Sequence, residues 1–343
     1  MKVFKNIILC IVVSLTIQMA GFFYVNNYFL DLNASIVSQK VGDSSVNNKT
    51  ASNNETKVPS NAKSINTSYD ASYIAYYLGD ELYIVNTKTG KNTNVSFSKG
   101  VKISFYKWLP DRNRMLIAEK KTDTLSISYY DIDKAQKDSI ADLGAFSPSV
   151  EVKDIEASPL TNVIYIKVAN SVKSDAIYWV NIMKSKKIIP TETSNIGKIE
   201  VIPHEDKMVY EDITGNKVYV TGIRSALSFF GSTKTCLLET DNNDNIYIGN
   251  IDANNNIDKI FFGTLKENTS SWKILQLGTL VSKENILVTA SGKVYIKDNL
   301  KSILKEVKTG KEIAYRGIFL QAYSDGIASL SNGMFVKTSL IRG

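Results

Sequence analysis

Residues 73–87 read YIAYYLGDELYIVNT. Two short runs rich in Ile, Tyr, Leu and Val flank Gly79-Asp80, and apolar side chains recur at every second position. That period belongs to a strand, and the Gly-Asp pair between the runs marks a hairpin turn. The same unit, a short apolar strand, a polar turn and a strand carrying an apolar-Tyr-apolar core, returns along the chain. It is read in 115–132, 162–182, 207–223, 236–251, 285–298 and 326–340, which makes seven hairpins.

Each hairpin follows a turn that can be matched between copies: Tyr69-Asp70, Pro110-Asp111, Pro159-Leu160, Pro203-His204, Ser232-Thr233, Ser282-Lys283 and Ser324-Asp325. The step from Pro203 to Ser232 is shorter than the others. Repeats of about 40–50 residues built only of short strands are the signature of a β-propeller, whose four-stranded blades stack around a channel. One such sheet has two apolar faces and cannot cover them alone, so the expected fold is all-β, a propeller of seven blades over residues 64–343, with six or eight as alternatives. A two-sheet sandwich is the competing architecture. Because the last copy ends soon after its third strand, a strand around residues 57–68 is expected to complete the last blade and protect its edge.

The segment WLPDRNRMLIAEK (108–120), with Trp108, Pro110, Asp111 and Leu116, resembles the Ser-Pro-Asp-Gly repeat of the propellers in the TolB protein and in the amino-terminal domain of dipeptidyl peptidase IV. Ser324-Asp325-Gly326 keeps that motif, and GDELYIVNTKTGK (79–91) looks like its hairpin and following turn. Copies three and four depart from it at Leu160 and His204. The resemblance implies a propeller that serves as a binding platform or gate.

Upstream, residues 7–25 (IILCIVVSLTIQMAGFFYV) contain no charge. As a helix they would extend roughly 28 Å, close to the hydrocarbon thickness. Lys2 and Lys5 precede the run and the next basic residue is Lys40, so residues 1–6 are expected in the cytoplasm, 7–25 as a single-pass transmembrane anchor in the lipid bilayer, and the rest extracytoplasmic. A cleaved secretory signal is the alternative. Residues 26–63, dominated beyond Asn33 by Ser, Asn, Thr and Lys, are expected to be a flexible tether. Asn48, Asn54 and Asn66 match glycosylation acceptors, a coincidence that such a composition readily supplies.

Chemistry is sparse. Cys10 and Cys236 are the only cysteines and His204 the only histidine, which excludes a disulfide framework and multi-histidine metal sites. No Gly-x-Ser-x-Gly elbow, phosphate loop or dinucleotide fingerprint occurs. His204 reads as a surface-turn residue. The run Asp241 to Asn245 has calcium-loop spacing at first, then fails where Ile246 replaces the required Gly, and turn preference explains it. Cys236 and the three tryptophans read as packing residues. No cofactor is expected, and a net charge of +7 does not call for nucleic acid.

Two surface features remain. Sorting turn charges by rim puts Asp80, Glu81, Asp123, Asp175, Asp241 and Asp244 on one side. The other carries Lys88, Lys91, Lys134, Lys137, Lys184, Lys186, Lys187, Arg224, Lys297 and Lys301, a candidate basic rim for an anionic surface. Phe229 and Phe230, in the irregular copy, form a candidate exposed aromatic edge. The function expected from all this is a non-enzymatic, membrane-tethered platform at the cell envelope for a protein, glycan or peptide. The alternative is an exported enzyme, a lyase or glycan hydrolase, with carboxylates at the channel mouth. A sensor is disfavoured by the short cytoplasmic start.

Overall fold

A computed structural model describes residues 14–16, 18–19, 56–95, 97–171, 174–323 and 326–340. Two units are distinguished, Met1–Ala51 and Ser52–Gly343. The second is a seven-bladed β-propeller made of consecutive antiparallel meanders. Blade 1 contains β1 (Lys63–Thr67), β2 (Tyr73–Leu78), β3 (Glu81–Asn86) and β4 (Asn92–Asn94). Blade 2 contains β5 (Val101–Trp108), β6 (Arg114–Lys121), β7 (Thr124–Asp131) and β8 (Gln136–Ala145). Blade 3 contains β9 (Glu151–Ser158), β10 (Val163–Ser171), β11 (Ser174–Asn181) and β12 (Lys186–Ile189).

Blade 4 has three strands, β13 (Ile196–Val201), β14 (Met208–Asp212) and β15 (Lys217–Val220). Blade 5 contains β16 (Thr235–Thr240), β17 (Ile246–Ile251), β18 (Asn256–Gly263) and β19 (Lys273–Ser282). Blade 6 contains β20 (Ile286–Val288), β21 (Val294–Asp298), β22 (Ile303–Glu306) and β23 (Glu312–Ala314). Blade 7 contains β24 (Ile318–Tyr323), β25 (Gly326–Ser331) and β26 (Met334–Ser339). The first strand of each blade lies innermost.

The strand period explains the stacking. In β3, Leu82 and Ile84 enter the cluster shared with blade 2, while Val85 joins the cluster shared with blade 7. In β14, Val209 faces blade 5 and its neighbours Met208 and Tyr210 face blade 3. Seven apolar clusters result, one at each interface between neighbouring blades. Burial at about 25 cal/mol per Å2 of apolar surface drives their formation.

Closure comes from residues before β1. Lys57 bridges to Met334, the Val58 N–H donates to the Gly333 carbonyl at 2.8 Å, and the Phe335 N–H donates to the Thr56 carbonyl at 2.9 Å. Val58 is buried beside Phe335 and Ala328. The closing strand expected over residues 57–68 is therefore confined to residues 56–58. Residues 63–67 instead form the inner strand of blade 1, because their register on Tyr77, Ala75 and Ile74 commits them to β2. It also follows that residues 56–63, assigned to the tether by composition, are bound up with the wheel.

The register of copies five and six needs a second correction. Residues 236–251 and 285–298 are not second and third strands but first and second, since Tyr-Ile in β17 and β21 occupies the second strand of each blade. Ser232-Thr233 and Ser282-Lys283 accordingly precede inner strands rather than following them. This slip produced the short interval. Most of the expected membrane span and most of the tether lie outside the described residues; of the span, residues 14–16 and 18–19 are described and are helical, and among the described residues no helix is long and apolar enough to cross a membrane.

Candidate functional site

The inner strands of blades 2 to 5 carry charged side chains that point together. Lys107 on β5 reaches Glu156 and, at 3.5 Å, Asp154, both on β9. Lys198 on β13 pairs with Glu200 two residues on at 2.8 Å and with Glu239 of β16 at 3.0 Å, and also donates to the Leu238 carbonyl. Glu211 of β14 pairs with Lys283 at the entry to blade 6 at 2.6 Å, and its other oxygen accepts from the Lys198 N–H at 3.3 Å. Gly197 makes room for this: a Cβ there would sit 2.5 Å from the Glu211 Oε2 atom.

Two second-strand lysines extend the same device. Lys120 donates to the Val150 carbonyl at 2.5 Å, and Lys167 donates to the carbonyls of Ile196 and Gly197 at 3.0 and 2.7 Å. Each ties one blade to the entry of the next blade's inner strand.

Burial sets the protonation of this wall. It raises the Glu200 carboxyl, and the neighbouring Glu239 raises it further, to about 8 despite Lys198 and Lys107. Glu156 is likewise pushed well above the usual carboxylate range by burial. Against burial, Glu156 and Asp154 hold Lys107 above the ordinary lysine range, as Glu200 and Glu239 do Lys198. Glu200 is thereby disposed to keep its proton near neutrality.

Blades 7 and 1 meet through neutral groups. Gln321 of β24 accepts from the Thr67 N–H and donates to the Thr67 carbonyl, both at 3.1 Å. On the other side of blade 1, the buried Tyr106 hydroxyl donates to the Ala75 carbonyl at 2.8 Å.

The sequence-derived sites distribute differently from expectation. Turns between strands one and two and between three and four share one rim. Lys88, Lys91, Lys134 and Lys184 lie in three-to-four turns on that rim, with Lys137, Lys186 and Lys187 at the start of the following strands, and Arg224 follows the third and last strand of blade 4. Lys297 and Lys301 lie at the opposite rim, on β21 and in the turn after it, a consequence of the one-strand slip. For the same reason Asp241 and Asp244 sit on the lysine-bearing rim, together with Asp70, Asp111, Glu205 and Asp206. The two rims thus do not sort by sign as expected.

Several of these cations are engaged within the molecule. Lys137 pairs with Glu119 at 2.9 Å and lies over Phe97, Lys187 covers the Trp179 ring at 4.4 Å, Lys297 lies over Phe319, and Lys301 reaches Asp298 at 3.7 Å. The aromatic edge also divides. Phe229 is buried, its ring stacked on Phe261 at 4.4 Å and tilted against Trp272 at 5.4 Å, because the segment after β15 folds inward over the missing fourth strand. Phe230 alone is exposed.

His204 stands in an exposed turn, where its backbone N–H and Nδ1 both meet the Asp244 carboxylate, at 3.0 and 2.9 Å. Asp241 is buried and accepts from the N–H groups of Asn243 and Asn245, the Asn245 amide and the Tyr247 hydroxyl. Turn formation uses up its oxygens. Among the described residues no group of three His, Cys, Asp or Glu could hold a metal ion. Cys236 is buried, and burial pushes its thiol up to about 12. Sequence reasoning missed the charged channel wall. Its signal was present in IGKIEV and EVKDIEAS, where charges interrupt apolar inner strands.

No protein-family model and no curated protein sequence matches the chain. Among solved structures, an oligogalacturonate lyase in complex with manganese aligns with a TM-score of 0.57 at 10% identity, covering 80% of this chain and 87% of that one. A prolyl endopeptidase aligns at 0.52 with 13% identity over 76% of this chain, which spans only 42% of the peptidase. TolB from Acinetobacter baumannii aligns at 0.44 with 14% identity over 80% of this chain and 66% of that chain. Identities this low establish a shared propeller fold and nothing finer.

Proposed function

We propose that this propeller is a non-enzymatic interaction platform, held outside the cytoplasm at the cell envelope by the apolar run 7–25, and that its partner, a protein, glycan or peptide, engages a rim. The observation that carries the reading is the state of the channel wall. Its carboxylates are tied to Lys107, Lys198 and Lys283, so they hold blades together and leave the turns as the accessible chemistry.

A photo-crosslinking residue at Lys88, Lys134 or Arg224 in the full chain, expressed in its own membranes, is expected to capture one common envelope component. A second reading, an exported lyase or glycan hydrolase, is favoured by the Glu200–Glu239 pair, because a carboxyl with a raised pKa is suited to general acid work near neutrality. Absence of adducts at all three rim positions, combined with turnover of an oligosaccharide that Glu200→Gln abolishes, would replace the first reading by the second.

A further inference from the structure

Blades 1, 2, 3 and 6 join their third and fourth strands through short turns. The two residues following strand three are Thr87-Lys88, Ile132-Asp133, Ile182-Met183 and Val307-Lys308. Ile132 and Val307 pack against the core, and the residue after each is charged. Blade 3 breaks the pattern at both positions: Ile182 is 73% and Met183 82% exposed. The adjoining turn of the same blade breaks it again. Leu160, 62% exposed, stands where the other matched copies have Asp70, Asp111 and His204. The two turns touch, the Ile182 N–H donating to the Asn162 carbonyl at 3.1 Å.

The exposure is built in. Asn181 accepts the Ser185 N–H on its side chain at 2.9 Å and the Lys184 N–H on its carbonyl at 2.9 Å, and Lys184 adopts a left-handed φ of 62°. The turn is therefore fixed with its apolar residues projecting.

Lys184, Lys186 and Lys187 follow immediately. Lys184 donates to the Ser139 carbonyl, Lys186 to the Asp142 carbonyl, and Lys187 lies over Trp179. Among the described residues none of the three has a carboxylate at ion-pair distance. Of the nearby acids, Asp138 accepts from Tyr129 and Gln136 and feels the charge of Lys184, Asp142 accepts the Gly144 N–H, and Asp206 accepts from the Nε1 of the Trp179 ring that Lys187 covers.

We propose that this corner of blade 3 docks on an anionic lipid bilayer, Leu160, Ile182 and Met183 entering the interface while the three lysines meet lipid phosphates. A projecting apolar tip flanked by three lysines outside any ion pair fits a charged interface better than a protein groove, and each lysine near such a surface strengthens binding severalfold. The inference goes beyond the platform reading and does not depend on it: a partner could still engage another part of the rim if this corner stays in water.

The test places tryptophan at the tip of the full chain, Met183→Trp, and at an exposed site on the opposite rim, Leu300→Trp, and measures quenching by vesicles with brominated acyl chains after subtracting the parent signal. With phosphatidylglycerol vesicles, Met183→Trp is expected to be quenched and Leu300→Trp not. Added Lys184→Gln, Lys186→Gln and Lys187→Gln should weaken the response of Met183→Trp about 100-fold in lipid concentration, and 0.5 M salt, by screening, should weaken it as well. No quenching at position 183, equal quenching with purely zwitterionic vesicles, or equal quenching at position 300 would each overturn the proposal.

Discussion

The channel wall has two unlike arcs. From blade 2 to blade 5 the inner strands are linked by lysine–carboxylate contacts, with Glu156 and Glu200 buried. Where blade 7 meets blade 1, the inner strands are linked instead by the Gln321 amide on the Thr67 backbone. This neutral junction is also where the chain closes on itself, next to residues 56–58. Buried ion pairs cost desolvation that neutral amides largely avoid, but they penalise any arrangement that leaves a charge unpaired. One arc therefore fixes the order of blades by charge, while the other has only to join two ends already brought together by the meander.

The largest effect should come from breaking the charged arc at its hub. Lys198→Met leaves Glu200 and Glu239 facing each other without their ion-pair partner, only the charge of Lys107 still acting on Glu200, and urea unfolding should show a loss of about 3 kcal/mol. Replacing Glu200 and Glu239 by Met in the same chain should recover much of it. A loss under about 1 kcal/mol would mean that the pairs are solvent-screened and that the arcs do not differ in kind. At the neutral arc, Gln321→Leu strands the Thr67 N–H and carbonyl, and Thr67 is buried. The expected loss is about 2 kcal/mol, the cost of two backbone groups left unsatisfied. It should be the same in low and high salt.

How far these arcs could be read beforehand follows from what each depends on. The wheel was legible because the period-two pattern at residues 73–87 and its copies commits both faces of each sheet to burial. Blade register was legible only where turn chemistry was distinctive. Pro110-Asp111 marks a one-to-two turn, but Ser232-Thr233 and Ser282-Lys283 do not, and the Tyr-Ile core occurs on second strands in blades 5 and 6 as readily as on third strands elsewhere. The rim charges inherited that slip through Lys297 and Asp241. The ion-pair arc was least legible, since Lys198 meets Glu239 only after blades 4 and 5 are side by side; local spacing gives Lys198-x-Glu200 but not the third partner. Phe229 followed the same logic, its burial depending on a missing strand in blade 4.

The smallest and sharpest test is the pH response of the charged arc. Glu200 titrates near 8 in the folded chain, where burial and Glu239 oppose its ionisation, against 4.5 ordinarily. Between those values the folded state holds a proton that the unfolded chain has released, so this group's contribution is complete below about pH 4.5 and is lost as pH rises to 8. The decline can reach about 1.4 kcal/mol per pH unit at most, and Glu156, also raised, should add to it. Asp70, Asp131 and Asp138 are lowered from 3.8, so their effects fall below about pH 4 with the opposite sign and leave the window clear. In Glu200→Gln the slope between pH 5 and 8 should flatten, while in Gln321→Leu it should match the parent chain. If the difference between parent and Glu200→Gln stays constant across that window, Glu200 ionises as an ordinary carboxyl. The charged arc would then be a set of conventional salt bridges in which Glu200 keeps no proton, which would also remove the chief support for the enzymatic reading.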